Sequence, residues 1–218
     1  MRRAARKGKS KMNNNTAKIA VLVSGGGTNL QALIDAAAAG SLTHGRIELV
    51  ISNKADAYAL QRAERAGIPT RTILRGECSG NEEFEGRIRA ALDEFEIDII
   101  VLAGFMSILS ADLTNAYPER IINIHPSLIP AFCGKGFYGL HVHEAVLEYG
   151  VKVTGATVHF VNEIPDGGRI IMQKAVDVLE GDTPETLQRR VMEQAEWKIL
   201  PAAVELVAAK TVAARGEQ

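Results

Sequence analysis

The sequence predicts an α/β fold: a Rossmann-like, mostly parallel sheet with helices on both faces, a C-terminal antiparallel hairpin and a long C-terminal helix. Three observations predict it. Short apolar runs alternate four times with helix-period segments as far as His125, and their connections are short, which is the pattern of parallel strands joined by covering helices. After Pro126 the alternation stops, and two β-rich runs follow, joined by a turn. A long helical pattern then closes the chain.

The elements follow in order. KIAVLVS is an apolar strand ending in GGGTN, and Leu30, Leu33 and Ile34 then share one helical face. IELVIS is the second strand and AYALQRAERAG the second helix, closed by Gly67. PTRTIL is a short third strand, and NEEFEGRIRAALDEFE sets Phe84, Ile88, Leu92 and Phe95 at helical spacing. IDIIVLA is the next strand, Ser110 caps a short helix before Pro118, and RIINIH follows as a strand. Residues 126–140 are rich in Gly, Pro and aromatics and read as a functional loop. HEAVLEYG is a short helix. KVTGATVHFVN and RIIMQKAVDV flank EIPDGG, which has hairpin chemistry. In the final helix Thr183 is the N-cap, Pro184 the first helical residue, and Pro201 is expected to kink or end it. With no repeat or linker, one domain over residues 18–210 is expected.

Charge narrows the partners. Lys+Arg 25 against Asp+Glu 26 gives no global field for nucleic acid or an anionic membrane, so neither is expected. No apolar run is long enough to span a bilayer. Cys78 and Cys133 do not make a disulfide framework, which points to a reducing cytoplasm. The opening MRRAARKGKSKMNNNTA is basic and lacks the apolar core of a secretory signal. An Arg-rich, acid-free segment also fits a transit peptide. The preferred expectation for residues 1–17 is a disordered basic tail, or an upstream start before Met12.

SGGGTNL, Ser24 to Leu30, joins the first strand to the first helix. Such a junction offers free backbone N–H groups and the positive end of a helix dipole to an anion. A dinucleotide needs a third glycine where Leu30 stands and an acid ending the second strand, which instead reads ISNK. A nucleoside triphosphate needs a lysine after the glycines, and none follows. A single phosphate on a small substrate remains, against a tight turn that binds nothing.

INIHPSLIP, Ile122 to Pro130, sets an amide and an imidazole in an apolar strand. Side chains alternate, so Ile121, Asn123 and His125 share one face and Ile122 and Ile124 the other. Residues two apart sit roughly 6.6 Å apart along a strand, so the two polar tips can converge on one small group. His125 also ends a parallel strand, where open α/β sheets bind ligands. Asp166, in EIPDGG, is a candidate to orient and charge the imidazole, although Asp-Gly is ordinary turn chemistry and spacing alone does not bring it to His125. His141, His143, His159 and Cys133 lack the paired spacings of zinc motifs, so no metal is expected. Nothing marks Cys133 as an activated nucleophile. LAGFMSIL fits the wall of a pocket for a flat heteroaromatic ligand, or plain core packing.

Five stretches in this order, SGGGTNLQALI, LAGFMSILS, NIHPSLIPAF, GATVHFVNEIPDGGRII and a late EGDTPETL, resemble the phosphoribosylglycinamide formyltransferase family. The resemblance runs from Lys18 to Val207, and Asn-x-His-Pro-Ser with a later Asp-Gly-Gly is its most specific part. It implies an enzyme that moves a formyl group from the co-substrate 10-formyltetrahydrofolate to the amine of glycinamide ribonucleotide, as a monomer or homodimer. It implies catalytic roles for Asn123, His125 and Asp166, and phosphate binding by Gly26, Gly27, Thr28 and Asn29. It implies folate binding by Phe105, Met106, Ser107, Ile108 and Leu109, with Ile164 and Pro165 from the turn before Asp166. His159 and Asn162 match positions near the reacting groups. Glu196 matches a substrate-contacting glutamate, within an EQAEW stretch one residue longer than usual.

Three departures stand out. Ser107 and Asn81 replace arginines found in many members, which would weaken charge contacts to the substrate or the folate glutamate. CGKGFYG, Cys133 to Gly139, is longer than the usual link and is expected to reshape the pocket rim, with Lys135 restoring a positive charge. The nearest rival is a formyltetrahydrofolate hydrolase, which carries an extra N-terminal domain. A methionyl-tRNA formyltransferase carries a C-terminal RNA-binding domain. The short flanks here are expected to favour neither. A non-catalytic module binding a phosphorylated ligand is the rival from another class.

Overall fold

The computed structural model describes residues 16–216. A seven-stranded sheet, in the order β3-β2-β1-β4-β5-β6-β7, forms its centre. The strands are β1 (Ala17–Val23), β2 (Gly45–Ser52), β3 (Thr70–Thr72), β4 (Ile99–Leu102), β5 (Ile121–His125), β6 (Val153–Phe160) and β7 (Ile170–Asp177). The first five pair in parallel, while β6 runs antiparallel to β5 and β7 antiparallel to β6. The helices are α1 (Thr28–Ala38), α2 (Tyr58–Arg65), α3 (Asn81–Glu94), α4 (Ala111–Ala116), α5 (Leu140–Tyr149), α6 (Pro184–Val191) and α7 (Trp197–Gly216).

Strand alternation sorts the core into two layers. Ile19, Val21 and Val23 pack with Leu30 and Leu33 of α1, Ala59 and Ala63 of α2, and Leu200, Ala203 and Val204 of α7. Ala20 and Leu22 pack with Phe84, Ile88 and Leu92 of α3 and Leu113 of α4. Truncating a fully buried side chain such as Phe84 costs about 3–5 kcal/mol, so each layer is a large part of the folding free energy. The same alternation splits β5: Ile122 and Ile124 enter the first layer and Ile121 the second.

The strand order reverses between β1 and β4, because the chain moves to β2 and β3 on one side and returns to β4 and β5 on the other. The loops leaving β1 and β4 therefore part at that point and open a crevice at the carboxyl ends of the strands. Ser24 stitches its base: buried after β1, it accepts the Met106 N–H through Oγ at 2.9 Å.

Several boundaries differ from expectation. β1 begins at Ala17, and the rest of the expected tail, residues 1–15, lies outside the described residues. α5 begins at Leu140, three residues before HEAVLEYG. Pro201 does not end the last helix; it lies inside α7, which runs to Gly216. The irregularity falls earlier, in a π-helical turn over Met192–Glu196. A proline's ring and missing N–H disturb the carbonyl four residues before it, here Trp197 at the end of that widened turn. The α6 start follows the sequence: Thr183 Oγ1 accepts the Thr186 N–H, with Pro184 at the first helical position.

Candidate active site

A cleft of about 750 Å³ opens at the switch point. Asn123 and His125 project into it from β5, Thr28 and Asn29 border it at the start of α1, and Gly104 to Ile108 form the wall after β4. Asp166, Pro165 and residues 134–139 complete the rim, with Gln188, Met192 and Glu196 from the end of α6 and the π turn. A larger groove of about 840 Å³ between α1 and α7 carries none of the catalytic candidates.

Register explains how the polar groups meet. Antiparallel pairing sets Asn123 opposite His159, and Asn123 Nδ2 lies 3.1 Å from His159 Nε2. His159 Nδ1 donates to the Phe160 carbonyl at 2.8 Å, which leaves Nε2 to accept from the amide. One Asn123 N–H is thereby anchored and the other stays available. The 161–169 connection folds back so that Asp166 bridges two rings. Its Oδ1 is 3.6 Å from His159 Nε2 and its Oδ2 3.6 Å from His125 Nδ1. Asp166 sits in a left-handed conformation, φ 55°. Gly168 lets this connection lie flat, because a Cβ there would fall 1.7 Å from the Phe160 carbonyl oxygen.

The loop after β5 reaches into the same cluster. Its start is fixed by Thr157 Oγ1, which donates to the Ser127 carbonyl at 2.6 Å and accepts the Ile129 N–H at 3.1 Å. Phe132, also left-handed, presents its carbonyl to His125 Nε2 at 2.9 Å. The Gly134 N–H donates to Asp166 Oδ2 at 2.8 Å.

The surroundings of His125 set the direction of its pKa. Burial depresses its pKa, and the opposing pull of Asp166 and the Phe132 carbonyl does not restore it. The net direction is toward the neutral imidazole, opposite to the shift that a neighbouring carboxylate alone would give. Burial also opposes ionisation of Asp166, but its neighbours, the Gly134 N–H among them, outweigh it and hold the carboxyl below its ordinary range.

At the other end of the cleft Gly27 adopts φ +71°, and a Cβ there would come 2.6 Å from the Ala59 side chain. The glycine is thus required at the N-terminus of α1, where no side chain caps the helix. Asn29 Nδ2 donates to Glu196 Oε2 at 2.6 Å, and Thr28 Oγ1 lies 3.8 Å from Met192 Sδ. EQAE, within the EQAEW stretch, falls in the π turn, and Glu196 faces the glycine loop.

Not every expected residue reaches the cleft. Leu109 is buried in the second core layer. Ile164 is exposed and does not line the cleft. Asn162 turns away, its Oδ1 accepting the Ile164 N–H at 3.0 Å. Asn81 bonds Arg75 and Glu85 beside α4, away from the cleft. Ser107 does line it, accepting from Asn53 Nδ2 at 3.1 Å, and so does Lys135. The other histidines part company: His141 is exposed against Glu144, whereas His143 is fully buried. The Cys133 thiol is pushed up by burial and by Asp166, opposite to what a nucleophile needs. Sequence reasoning missed Gln188 and Met192, although their spacing of four to Glu196 makes one helical stripe. The Phe132 and Gly134 backbone groups carry no sequence signal.

The formyl transferase family profile matches residues 17–204. The chain is 51% identical over 196 residues to the human trifunctional purine biosynthetic protein adenosine-3, covering 90% of this chain but 19% of that protein. It is 44% identical to the phosphoribosylglycinamide formyltransferase of Haemophilus influenzae, covering 86% of this chain and 85% of that one. The crystal structure of glycinamide ribonucleotide transformylase 1 from Symbiobacterium toebii aligns with TM-score 0.85 and 42% identity, over 93% of this chain and 92% of that one. With a profile match across nearly all the described residues, the chain belongs to the formyl transferase family.

Proposed function

We propose that this protein is a phosphoribosylglycinamide formyltransferase of purine biosynthesis, moving the formyl group of 10-formyltetrahydrofolate to the amine of glycinamide ribonucleotide. The observation that carries this reading is the convergence of Asn123, His125 and Asp166 in one cleft with an anion-ready helix N-terminus. The substrates are small molecules, and the enzyme acts in the cytoplasm as a monomer or homodimer. Among the described residues no helix is long and apolar enough to cross a membrane.

The cleft fits both substrates. The N–H groups at the start of α1 suit a ribose-bound phosphate, and Glu196 lies beside them to accept from substrate hydroxyl or amine groups. Met106 and Ile108 are exposed apolar side chains on the opposite wall, which suits a flat pterin.

In this reading the amine attacks the formyl carbon, and the carbonyl oxygen takes up negative charge. The free Asn123 N–H donates to that oxygen; one such donor contributes roughly 2.7–4 kcal/mol in comparable sites. His125 exchanges its bond to the Phe132 carbonyl for one to the same oxygen. Asp166 accepts a proton from the attacking amine, directly or through water. As the bond from the formyl carbon to the folate nitrogen breaks, that nitrogen takes the proton that Asp166 received, so the net transfer is one formyl group against one proton. Holding both substrates side by side supplies much of the acceleration.

Mixing the protein with 10-formyltetrahydrofolate, with and without glycinamide ribonucleotide, tests the reading. Release of deformylated folate only with the amine is expected. Release without it indicates a hydrolase, and no release indicates a binding module.

A further inference from the structure

The glycine loop is held from behind by α2. The Ala59 N–H donates to the Gly25 carbonyl at 3.1 Å, and Arg62 Nε donates to the Gly26 carbonyl at 2.8 Å. In a planar trans peptide the N–H points opposite to the C=O. Drawing these two carbonyls onto α2 therefore turns the N–H groups of Gly26 and Gly27 away from it. The close seat of Gly27 on Ala59 fixes the same arrangement sterically.

Arg62 also brings a charge. Its other partners are neutral: Nη1 donates to Gln31 Oε1 at 3.0 Å, and its guanidinium lies 4.9 Å over the Tyr58 ring. Asp35 accepts from the far side of the Gln31 amide, at 2.8 Å, and so is one residue removed. Among the described residues no carboxylate forms an ion pair with Arg62 within 4.0 Å. A cation thus stands unpaired directly behind a loop whose N–H groups are turned outward.

We propose that Arg62 is the positioning residue of the anion site. It fixes the peptide planes of the glycine loop and supplies the positive field that a substrate phosphate neutralises. The proposal rests on the phosphate reading of that loop. Arg62 does not touch the reacting atoms, so its loss acts on binding of the phosphorylated substrate and not on the chemical step.

The test compares wild type, Arg62→Ala and Arg62→Lys by steady-state kinetics on both substrates and by thermal shift with inorganic phosphate. Arg62→Ala is expected to raise KM for glycinamide ribonucleotide roughly 10- to 100-fold, the loss of one charge-assisted hydrogen bond. Its kcat and its KM for the formyl donor stay unchanged, and stabilisation by phosphate disappears. Arg62→Lys, which keeps a charge and a donor, recovers part of both. An Arg62→Ala enzyme with wild-type KM overturns the proposal, as does an equal rise in both KM values, the mark of a merely structural role. Phosphate stabilising wild type and Arg62→Ala alike removes this proposal only. Phosphate failing to stabilise wild type removes the phosphate reading and the proposal with it.

Discussion

Asn29 Nδ2 and Glu196 Oε2 meet at 2.6 Å, closing the glycine loop against a carboxylate from the far end of the chain. The carboxyl is buried, and burial pushes its pKa up to about 6, past the opposing effect of the Asn29 bond. A buried carboxylate held by one amide is an unfavourable arrangement for folding, and its place in the cleft gives it a use in binding.

Glu196→Gln should therefore stabilise the free protein and weaken substrate binding. A carboxyl raised from 4.5 to about 6 binds more protons folded than unfolded between those values, so stability falls as pH rises through that window. The glutamine variant keeps the Asn29 contact and avoids this loss, gaining on the order of 2 kcal/mol at pH 7. Urea unfolding at pH 7 and KM for glycinamide ribonucleotide check the two halves.

The π turn makes a second, geometric prediction. Each residue in a regular helix turns about 100°, so an inserted residue swings everything after it unless a wider turn absorbs it. Deleting the exposed Gln194 should let α6 and α7 fuse into regular helix with Glu196 still facing Asn29. The expected enzyme keeps its KM for the ribonucleotide, with a melting temperature at or above wild type. Kinetics resembling Glu196→Ala would show that the π turn itself aims the carboxylate.

His143 predicts an acid-side loss. It is fully buried, both ring nitrogens lack a hydrogen-bond partner, and burial, aided by His125, lowers its pKa to about 4. Between about 4 and 6.5 the unfolded chain binds more protons, so stability falls as pH drops through that window, by on the order of 3 kcal/mol. Leucine removes the titration and the unpaired nitrogens. Chemical denaturation across this range should show a flatter profile for His143→Leu than for wild type.

Much of this was legible in the sequence, for physical reasons. The β–α alternation follows from side-chain periodicity, which also put Asn123 and His125 on one face of β5 and Ile122 and Ile124 on the other. Asp166 was not reachable by spacing, because its place depends on how residues 161–169 fold over the sheet; the family resemblance supplied it. The direction of the His125 shift was not legible for a similar reason. A neighbouring carboxylate was anticipated, but the burial that outweighs it comes from the whole surroundings of the ring. The Phe132 carbonyl and Gly134 N–H are backbone groups, invisible to residue type. Pro201 did not mark the end of the last helix, and the π turn that precedes α7 carried no sequence signal.

The catalytic assignment meets its most direct test in Asp166→Asn, assayed for amine-dependent formyl transfer at saturating substrates. The side chain keeps its shape but no longer takes a proton, so kcat should fall by about 10²- to 10⁴-fold, as general acid–base losses do, with both KM values little changed. An Asp166→Asn enzyme turning over near the wild-type rate would contradict the assignment.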